Sequence, residues 1–223
     1  EGGGDEGGGV YGHSVGAAWG DIDSDGDFDL IVASLAHPRF FDFSDKTQVF
    51  KQNDDGTFTD TQGDWSFPWG DSGVRFSEGH FSPVLADFNQ DGHLDLIISS
   101  AYEGRTTDFY WGQGDGTFDL DSYHAGIKTS YGVGLASGDM DNDGDLDLAS
   151  ATTIWTNTMA AEDAGAWIQL RLVGNVSSNR AAIGATRSSR QRAAPRGSLP
   201  SGRSSCAGLP RTAARIDLPQ LGV

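Results

Sequence analysis

The amino-acid sequence predicts an all-β protein, and three repeated features support that prediction. An acidic segment occurs three times, as "DIDSDGDFDL" (21–30), "DFNQDGHLDL" (87–96) and "DMDNDGDLDL" (139–148). Each copy runs directly into a short apolar, partly β-branched segment, which is typical of buried strands. Aromatic residues flank an Asp-Gly turn at 49–60 and again at 109–121, a pattern that indicates β-hairpins. The repeats contain no sustained apolar period of about 3.6 residues, so they predict no helix.

The order of these features defines a repeating unit. A segment of small residues comes first ("YGHSVGAAWG", "GHFSPVLA", "YGVGLASG"), and the acidic loop follows it. An apolar strand comes next ("LIVAS", "LIISS", "LASAT"), and then the hairpin, of which "IWTNT" at 154–158 is a shorter version. We number the positions of each loop from its first Asp. Loop one is 21–29, loop two is 87–95 and loop three is 139–147.

The spacing of oxygen ligands in the loops predicts calcium sites. Ca²⁺ takes six to eight oxygen ligands, mainly from carboxylates and carbonyls. Side chains at positions 1, 3 and 5 of a tight loop converge, Gly at position 6 permits the sharp turn, and position 7 adds its backbone carbonyl. Position 9 is an Asp in every copy. The predicted ligand residues are Asp21, Asp23, Asp25, Asp27 and Asp29 in loop one; Asp87, Asn89, Asp91, His93 and Asp95 in loop two; and Asp139, Asp141, Asp143, Asp145 and Asp147 in loop three.

The loops are not EF-hands, because position 12 is Val32, Ile98 or Ser150 rather than the bidentate Glu of that motif. Solvated Asp-Gly turns are the alternative, but the same pattern in three copies disfavours it. Carboxylates packed together without a cation repel one another, so we expect about three Ca²⁺ ions. Asn89 replaces a carboxylate, and loop two should therefore bind more weakly than the other loops.

The loops and the hairpin turns "NDDGTFTD" and "GQGDGTFD" resemble FG-GAP/VCBS repeats, the calcium-loop blades of integrin α-subunit propellers and many secreted bacterial proteins. The resemblance covers approximately residues 11–158. It implies a partial β-propeller with about three blades of about four strands each, and we expect further blades N-terminal to residue 1. It also implies a secreted or cell-surface scaffold for adhesion or protein interaction, without catalysis. The protein or glycan ligand stays open.

Residues 12–16, "GHSVG", offer a competing interpretation, because they fit the G-x-S-x-G nucleophile elbow of serine hydrolases with Ser14 as the nucleophile. That elbow needs a strand before the Ser and a helix after it. Here a Gly-rich stretch precedes Ser14 and an acidic loop follows, and the five His show no spacing typical of a base or a zinc site. We therefore expect no enzyme.

A second alternative is a carbohydrate-binding propeller of a lectin or a polysaccharide-active enzyme. Aromatic residues in and near the hairpins could form a sugar platform; they are Trp65, Phe67, Trp69, Tyr110 and Trp111. Aromatic residues in hairpins more often pack between sheets, and sequence does not separate buried from exposed Trp.

The charge is divided unevenly along the chain. Residues 1–179 carry 31 acids and 7 bases, whereas residues 180–223 carry 8 bases and 1 acid, and the sum is −17. Such an acidic body would be repelled by nucleic acid and by anionic membranes. No apolar run approaches the roughly 18 residues that a membrane-spanning helix needs. The single Cys206 permits no internal disulfide.

The chain changes character after the repeats. Residues 1–10 are a Gly-rich linker, and 159–185, with "WIQLRLVG", "SNR" and "AIGA", resemble the start of an ASPIC/UnbV domain, as in cartilage acidic protein and its bacterial relatives. Residues 186–223 are rich in Arg, Ser and Pro without any aromatic, which predicts a disordered tail. The tail is either a basic arm or the product of a frame shift in the coding DNA. The abrupt change inside a domain favours the frame shift.

Overall fold

The structure, a computed structural model, describes residues 13–36, 46–63, 69–127, 132–151 and 153–158. Within these ranges every regular element of secondary structure is a β-strand, which confirms the predicted fold class. The chain divides into two units, Glu1–Gly165 and Ala166–Val223, and every described residue belongs to the first. The predicted linker (1–10), ASPIC/UnbV-like segment (159–185) and tail (186–223) lie outside the described residues. No helix in the described ranges is long and apolar enough to cross a membrane.

The strands form three antiparallel sheets in chain order, one for each repeat. Blade one contains β1 (Ser14–Gly20), β2 (Asp29–Ser34), β3 (Gln48–Gln52) and β4 (Phe58–Asp60). Blade two contains β5 (His80–Ala86), β6 (Asp95–Ser100), β7 (Asp108–Gly112) and β8 (Phe118–Leu120). Blade three contains β9 (Leu135–Gly138), β10 (Asp147–Ser150) and β11 (Ile154–Trp155), and the described residues include no fourth strand for it. The sheets are thus propeller-like repeats.

The same register recurs in each blade. The last residue of the first strand pairs with the position 9 Asp that opens the second strand, as in Gly20↔Asp29, Ala86↔Asp95 and Gly138↔Asp147. Each acidic loop therefore connects the first two strands of its blade at the same end of the sheet. Because side chains alternate between the two faces of a strand, this register also fixes which residues of each blade share a face.

Two hydrophobic cores lie between the blades, and β6 contributes to both. Leu96 and Ile98 point towards blade one, where they join a buried cluster with Ile31 and Val49. Ile97, between them in the strand, belongs instead to a second buried cluster shared with blade three. Blade two is therefore apolar on both faces, which explains why β6 reads as a continuous apolar run rather than as an alternating one.

The small residues of β1 allow blade two to approach closely. A Cβ added at Gly16 would overlap the carbonyl of Phe81, and one added at Gly20 would overlap the side chain of Leu94. The Gly-rich segment before loop one is therefore a packing surface.

A buried polar network also joins blades one and two. Asp108 is fully buried and accepts two hydrogen bonds from Arg75, from Nε and Nη2, each of 2.6 Å. It also accepts one from the Tyr110 hydroxyl at 3.2 Å and lies 3.1 Å from His80 Nε2. The other ring nitrogen of His80 is 2.8 Å from the hydroxyl of Thr47, which precedes β3 of blade one. We call these five residues the interblade network.

Candidate metal centres

The three acidic loops lie at equivalent ends of their sheets, and each contacts a neighbouring blade. The amide Nε2 of Gln90, in loop two, donates to the carbonyl of Gly144 in loop three at 3.0 Å. The backbone N–H of Gly116, in the β7–β8 turn of blade two, donates to the carbonyl of Ile22 in loop one at 3.2 Å. Loops one and two are thus each held by their own blade and by the next one in the chain, and loop three is contacted by loop two.

The backbone enters the left-handed region twice in every loop. Position 6 does so at Gly26, Gly92 and Gly144, with φ of +99°, +95° and +101°, which confirms the predicted role of the glycine. Position 4 does so as well, at Ser24, Gln90 and Asn142, with φ of +61°, +58° and +64°. The left-handed conformation at position 4 is not predictable from the sequence, because only Asn among these residue types commonly adopts it.

Backbone N–H groups hold the position 1 carboxylate in the same way in each loop. One oxygen accepts from the N–H of position 5, over 3.1, 3.2 and 3.2 Å for Asp21, Asp87 and Asp139. The other accepts from the Gly N–H at position 6, over 3.1, 3.0 and 3.2 Å. These bonds fix the direction in which the loop carboxylates point.

Positions 3 and 5 continue this pattern. The position 3 oxygen accepts from the N–H of position 5, over 3.3 Å for Asp23, 3.1 Å for Asn89 and 3.3 Å for Asp141. The position 5 carboxylates accept from the N–H of position 7, over 2.9 Å for Asp25, 2.8 Å for Asp91 and 3.2 Å for Asp143. Each acceptor oxygen keeps further lone pairs, so these bonds orient the oxygens without excluding a metal ligand role.

The position 9 Asp is the most buried residue of each loop and ties the loop to the sheet. In Asp29, Asp95 and Asp147 one oxygen accepts from the N–H of loop position 2, over 2.9, 2.8 and 2.8 Å. The other oxygen accepts from the N–H of Gln52, Gly112 or Asn157, over 2.9, 3.0 and 2.9 Å. Position 9 therefore has a structural role that the spacing of the ligand residues alone does not indicate.

Loops one and three bring three carboxylates together. One oxygen each of Asp21, Asp23 and Asp25 lie within 4.8 Å of one another, and so do oxygens of Asp139, Asp141 and Asp147. Loop two forms no such group of three acids among the described residues, because its position 3 is Asn89. The geometry brings together the predicted acids at positions 1 and 3 in two loops, with a third acid from position 5 or 9.

Loop three carries the strongest mutual repulsion. Asp145, at position 7, is buried, and burial together with the neighbouring Asp143 raises its pKa to about 6. Its Oδ1 has no hydrogen-bond partner among the described residues. Burial and Asp143 raise the pKa of Asp141 as well. The set of carboxylates in loop three therefore fits a divalent cation, which would remove the repulsion.

The other two loops contain groups that offset part of this charge. In loop one the ammonium of Lys51, from β3, forms an ion pair with Asp23, whose side chain is only 3 % exposed. In loop two the Asn89 amide donates to Asp91 Oδ2 at 2.9 Å. Burial still raises the pKa of Asp95 to about 6 and raises the pKa of Asp29.

Two predicted position 7 residues differ from Asp145 in their surroundings. Asp27 is exposed, and its N–H donates to Asp25. His93 packs its imidazole against the β7–β8 turn, where a Cβ on Gly114 would overlap the ring. Its Nδ1 is buried without a hydrogen-bond partner in the described part of the chain.

The residues of the two alternative interpretations are scattered. Ser14 lies at the start of β1 and is followed by strand rather than helix, with its Oγ 3.4 Å from Ser34 Oγ. Of the aromatic platform, Tyr110 is fully buried, Trp111 is half-buried with its Nε1 donating to Asp121, and Trp69 is 42 % exposed. Trp65 and Phe67 lie outside the described residues.

The sheets and their loops define a class of protein built from propeller-like β repeats that each carry one acidic loop. The family model of the FG-GAP-like repeat matches residues 21–98 and again 87–150. Together the two matches span more than half of the 223 residues, so the chain belongs to the FG-GAP-like repeat family. The first match begins at Asp21 and the second at Asp87, the first residues of loops one and two. No curated protein matches the chain significantly.

Proposed function

We propose that the chain is a non-catalytic, calcium-binding scaffold in which each acidic loop holds one Ca²⁺. The observation that carries this proposal is the convergence of oxygens from three Asp side chains within 4.8 Å in loops one and three. Bound Ca²⁺ would supply positive charge at the meeting point of carboxylates that otherwise repel. Side chains at positions 1, 3, 5 and 9 would hold it, together with the backbone carbonyl of position 7.

The three sites should differ in affinity. Loop three has five acids, including the buried Asp145; its position 3 is Asp141 rather than an Asn, and Thr156 stands where blade one has Lys51. Loop one has Lys51 against Asp23, and loop two has the neutral Asn89. We therefore propose that loop three binds Ca²⁺ most tightly, which refines the expectation that only loop two would be weakened.

Calcium titration followed by thermal unfolding tests this proposal. Ca²⁺ that binds only the folded chain stabilises it by about 2.7 kcal/mol per site at a hundredfold excess over Kd. We expect EDTA to lower the Tm, excess Ca²⁺ to restore it, and Asp139→Ala to remove the tightest binding step from a calorimetric titration. Asp119→Asn is the matched control, because Asp119 is an exposed acid on β8 and belongs to no acidic loop. Identical melting curves in EDTA and in Ca²⁺ would falsify the proposal.

Propeller-like FG-GAP repeats are interaction scaffolds, and we propose a secreted or cell-surface setting, where millimolar calcium suits loops of this ligand count. The carbohydrate-binding alternative has weaker support, since Tyr110 is buried and Trp111 is partly covered. A glycan array separates the two. Saturable binding to a defined polysaccharide that Trp69→Ala abolishes would favour the lectin alternative.

A further inference from the structure

Two side chains join loops two and three directly. Gln90, at position 4 of loop two, donates from Nε2 to the carbonyl of Gly144 in loop three at 3.0 Å. From the side of blade three, the Asn157 amide donates from Nδ2 to the carbonyl of Phe88 in loop two at 2.8 Å. The same Nδ2 also donates to the carbonyl of Leu146 in loop three at 3.3 Å. The two loops are therefore held together at two separate points.

The contact from Gln90 reaches the part of loop three that orients predicted ligands. The peptide group that joins Gly144 to Asp145 accepts from Gln90 at its carbonyl. Its N–H donates to Asp143 Oδ1 at 3.2 Å. Loop two is thus connected through one peptide group to the position 5 carboxylate of loop three. The same peptide leads into position 7, whose backbone carbonyl is a predicted ligand.

The contact from Asn157 ties loop two to the other end of loop three. The backbone N–H of Asn157 donates to Asp147 Oδ1 at 2.9 Å, and its side chain holds the carbonyl of Phe88. Asp147 is one of the three acids that converge in loop three, and Phe88 lies between positions 1 and 3 of loop two. One residue therefore contacts both a converging acid of loop three and the backbone between two predicted ligands of loop two.

Gln90 holds a backbone conformation that costs free energy unless its surroundings favour it. Its φ of +58° lies in the left-handed region, which residues other than glycine seldom enter because their Cβ approaches the backbone. The residues on either side, Asn89 and Asp91, are the predicted ligands at positions 3 and 5. The hydrogen bond to Gly144 favours this conformation, and it therefore favours the arrangement of loop two in which these two ligands are already in place.

Loop one is connected to the rest of the molecule differently. Blade two reaches it through the backbone N–H of Gly116, which donates to the carbonyl of Ile22 at 3.2 Å. Gly116 belongs to the β7–β8 turn and not to loop two. Position 4 of loop one is Ser24, and in the described ranges we find no side chain that links loop one to another acidic loop. A change in loop three therefore has no comparable route to loop one.

We propose that Gln90 and Asn157 are positioning residues that couple loops two and three, so that an occupied loop three strengthens calcium binding at loop two, whereas loop one binds independently. The inference rests on the calcium sites of the proposed function. Occupancy of loop three fixes the peptide that Gln90 contacts, and less of the ordering of loop two then remains when loop two binds its own ion. Couplings between sites typically change affinity about 5- to 150-fold, and we expect roughly tenfold here.

A heteronuclear NMR titration of the full chain with Ca²⁺ measures each loop separately. The amide resonances of the position 6 glycines report the occupancy of the loops, Gly26 for loop one, Gly92 for loop two and Gly144 for loop three. Asp139→Ala empties loop three, and the midpoint of the Gly92 titration should then move to roughly tenfold higher free Ca²⁺. Asp21→Ala empties loop one, removes the same charge and should leave the Gly92 midpoint where it is. A Gly92 midpoint that stays or falls in Asp139→Ala overturns the coupling.

A double variant tests whether the two side chains carry the coupling. Gln90→Met removes the amide donor and keeps the length and the neutral charge of the side chain, and Asn157→Ala removes the second bridge but keeps the backbone N–H. In this background Asp139→Ala should shift the Gly92 midpoint by less than about twofold, as for independent sites. Because neither substitution changes a charge, electrostatic effects between the loops stay as they are in the parent. A tenfold shift that persists in the double variant overturns the role of Gln90 and Asn157.

Gln113→Met is the matched control for the glutamine substitution. Gln113 is exposed, and its Nε2 donates to the carbonyl of Trp111 within blade two, so this variant should keep the full shift of the Gly92 midpoint. The Gly26 titration is the internal control for folding, because it should match the parent in every variant that retains loop one.

The outcomes separate this inference from the proposed function. If no position 6 glycine responds to Ca²⁺, the calcium sites and the coupling are both overturned. If all three respond but the Gly92 midpoint is independent of loop three, the calcium sites stand and the coupling is overturned.

Discussion

Lys51 forms an ion pair with Asp23 inside loop one, so the cationic side chain lies against the carboxylate at position 3 of the acidic motif. Asp23 raises the pKa of Lys51, which keeps the ammonium charged at neutral pH. Trp111 and Thr156 occupy the equivalent position in blades two and three, one residue before the N–H that donates to the position 9 Asp. At this position a cationic side chain is therefore present in blade one and absent from blades two and three.

Lys51→Met should strengthen calcium binding at loop one. The substitution removes a positive charge that Ca²⁺ must displace or tolerate, and we expect the affinity of that site to rise roughly tenfold, or about 1.4 kcal/mol. Isothermal titration calorimetry of the variant and the parent measures the change. Arg105→Met is the matched control, because it removes one positive charge that pairs with Glu78 outside the loops. An equal gain in both variants would mean that net charge, rather than the Lys51–Asp23 contact, sets the affinity.

The stability of the metal-free protein should fall as the pH rises, whereas calcium binding should become stronger. Burial raises the pKa of Asp95 from its ordinary value of 3.8 to about 6, and the pKa of Asp145 is also raised to about 6. A carboxyl with a higher pKa in the folded chain holds its proton more tightly there, so folding takes up protons between about pH 4 and 6. In EDTA the Tm should therefore fall as the pH rises from 4 to 6.

Calcium should reverse this dependence, because bound Ca²⁺ requires ionised carboxylates and its binding releases protons. The increase in Tm produced by Ca²⁺ should be large at pH 7 and shrink as the pH falls towards 5. Melting curves across this range, in EDTA and in excess Ca²⁺, measure both trends. A calcium effect of the same size at pH 5 and pH 7 would contradict the assignment of Asp95 and Asp145 to the sites.

Position 9 should matter for folding even without calcium. Asp95→Ala leaves the buried N–H groups of Phe88 and Gly112 without their acceptor, and each such group costs about 1–3 kcal/mol. We expect the free energy of unfolding in EDTA to fall by about 2–6 kcal/mol, as measured by urea denaturation. Asp91→Ala is the comparison within loop two, since Asp91 is exposed, and it should mainly weaken calcium binding. Equal losses in EDTA for the two variants would show that position 9 has no special structural role.

Local features of the fold could be predicted from the sequence, since they depend on neighbouring residues. Strands β2, β6 and β10 coincide with the apolar segments after each loop, and β3–β4 and β7–β8 with the two Asp-Gly hairpins. The turn at position 6 follows from glycine alone, because only glycine enters that region without steric cost. The grouping of acids at positions 1 and 3 in loops one and three also follows from spacing within a single loop.

Contacts between distant segments were not predictable in this way. Lys51 lies 28 residues beyond Asp23. No local sequence pattern indicates that β3, which pairs with β2, places the side chain of Lys51 against loop one. The exposure of Trp19 and the burial of Tyr110 depend on which blade packs against each face, which the pattern within one strand does not determine. The interblade network went unnoticed for the same reason, since its members come from separate elements.

That network leads to the last prediction, which concerns Asp108. Asp108→Ala would leave the buried His80 and the partly exposed Arg75 without their carboxylate acceptor. Removal of one partner from a buried ionic network typically costs about 3–5 kcal/mol, and the partial exposure of Arg75 places the expected loss at the lower end of that range. We expect a loss of this size in the free energy of unfolding, measured in saturating Ca²⁺ so that the acidic loops do not contribute to the difference.

The chain offers a matched comparison for this loss. Glu78→Ala breaks an ion pair with Arg105 that is largely solvated, and such pairs contribute about 0–1 kcal/mol. The pH dependence separates the two as well. Burial opposes ionisation of Asp108, but His80 and Arg75 outweigh it and hold the pKa of Asp108 below its ordinary value of 3.8. The free energy of unfolding of the parent should therefore decrease as the pH falls below about 4, because the contribution of Asp108 is lost. Asp108→Ala has no such carboxyl, so its free energy of unfolding should decrease less steeply over the same pH range. The same pH dependence of the free energy of unfolding in parent and variant would mean that His80 and Arg75 do not stabilise the ionised form of Asp108.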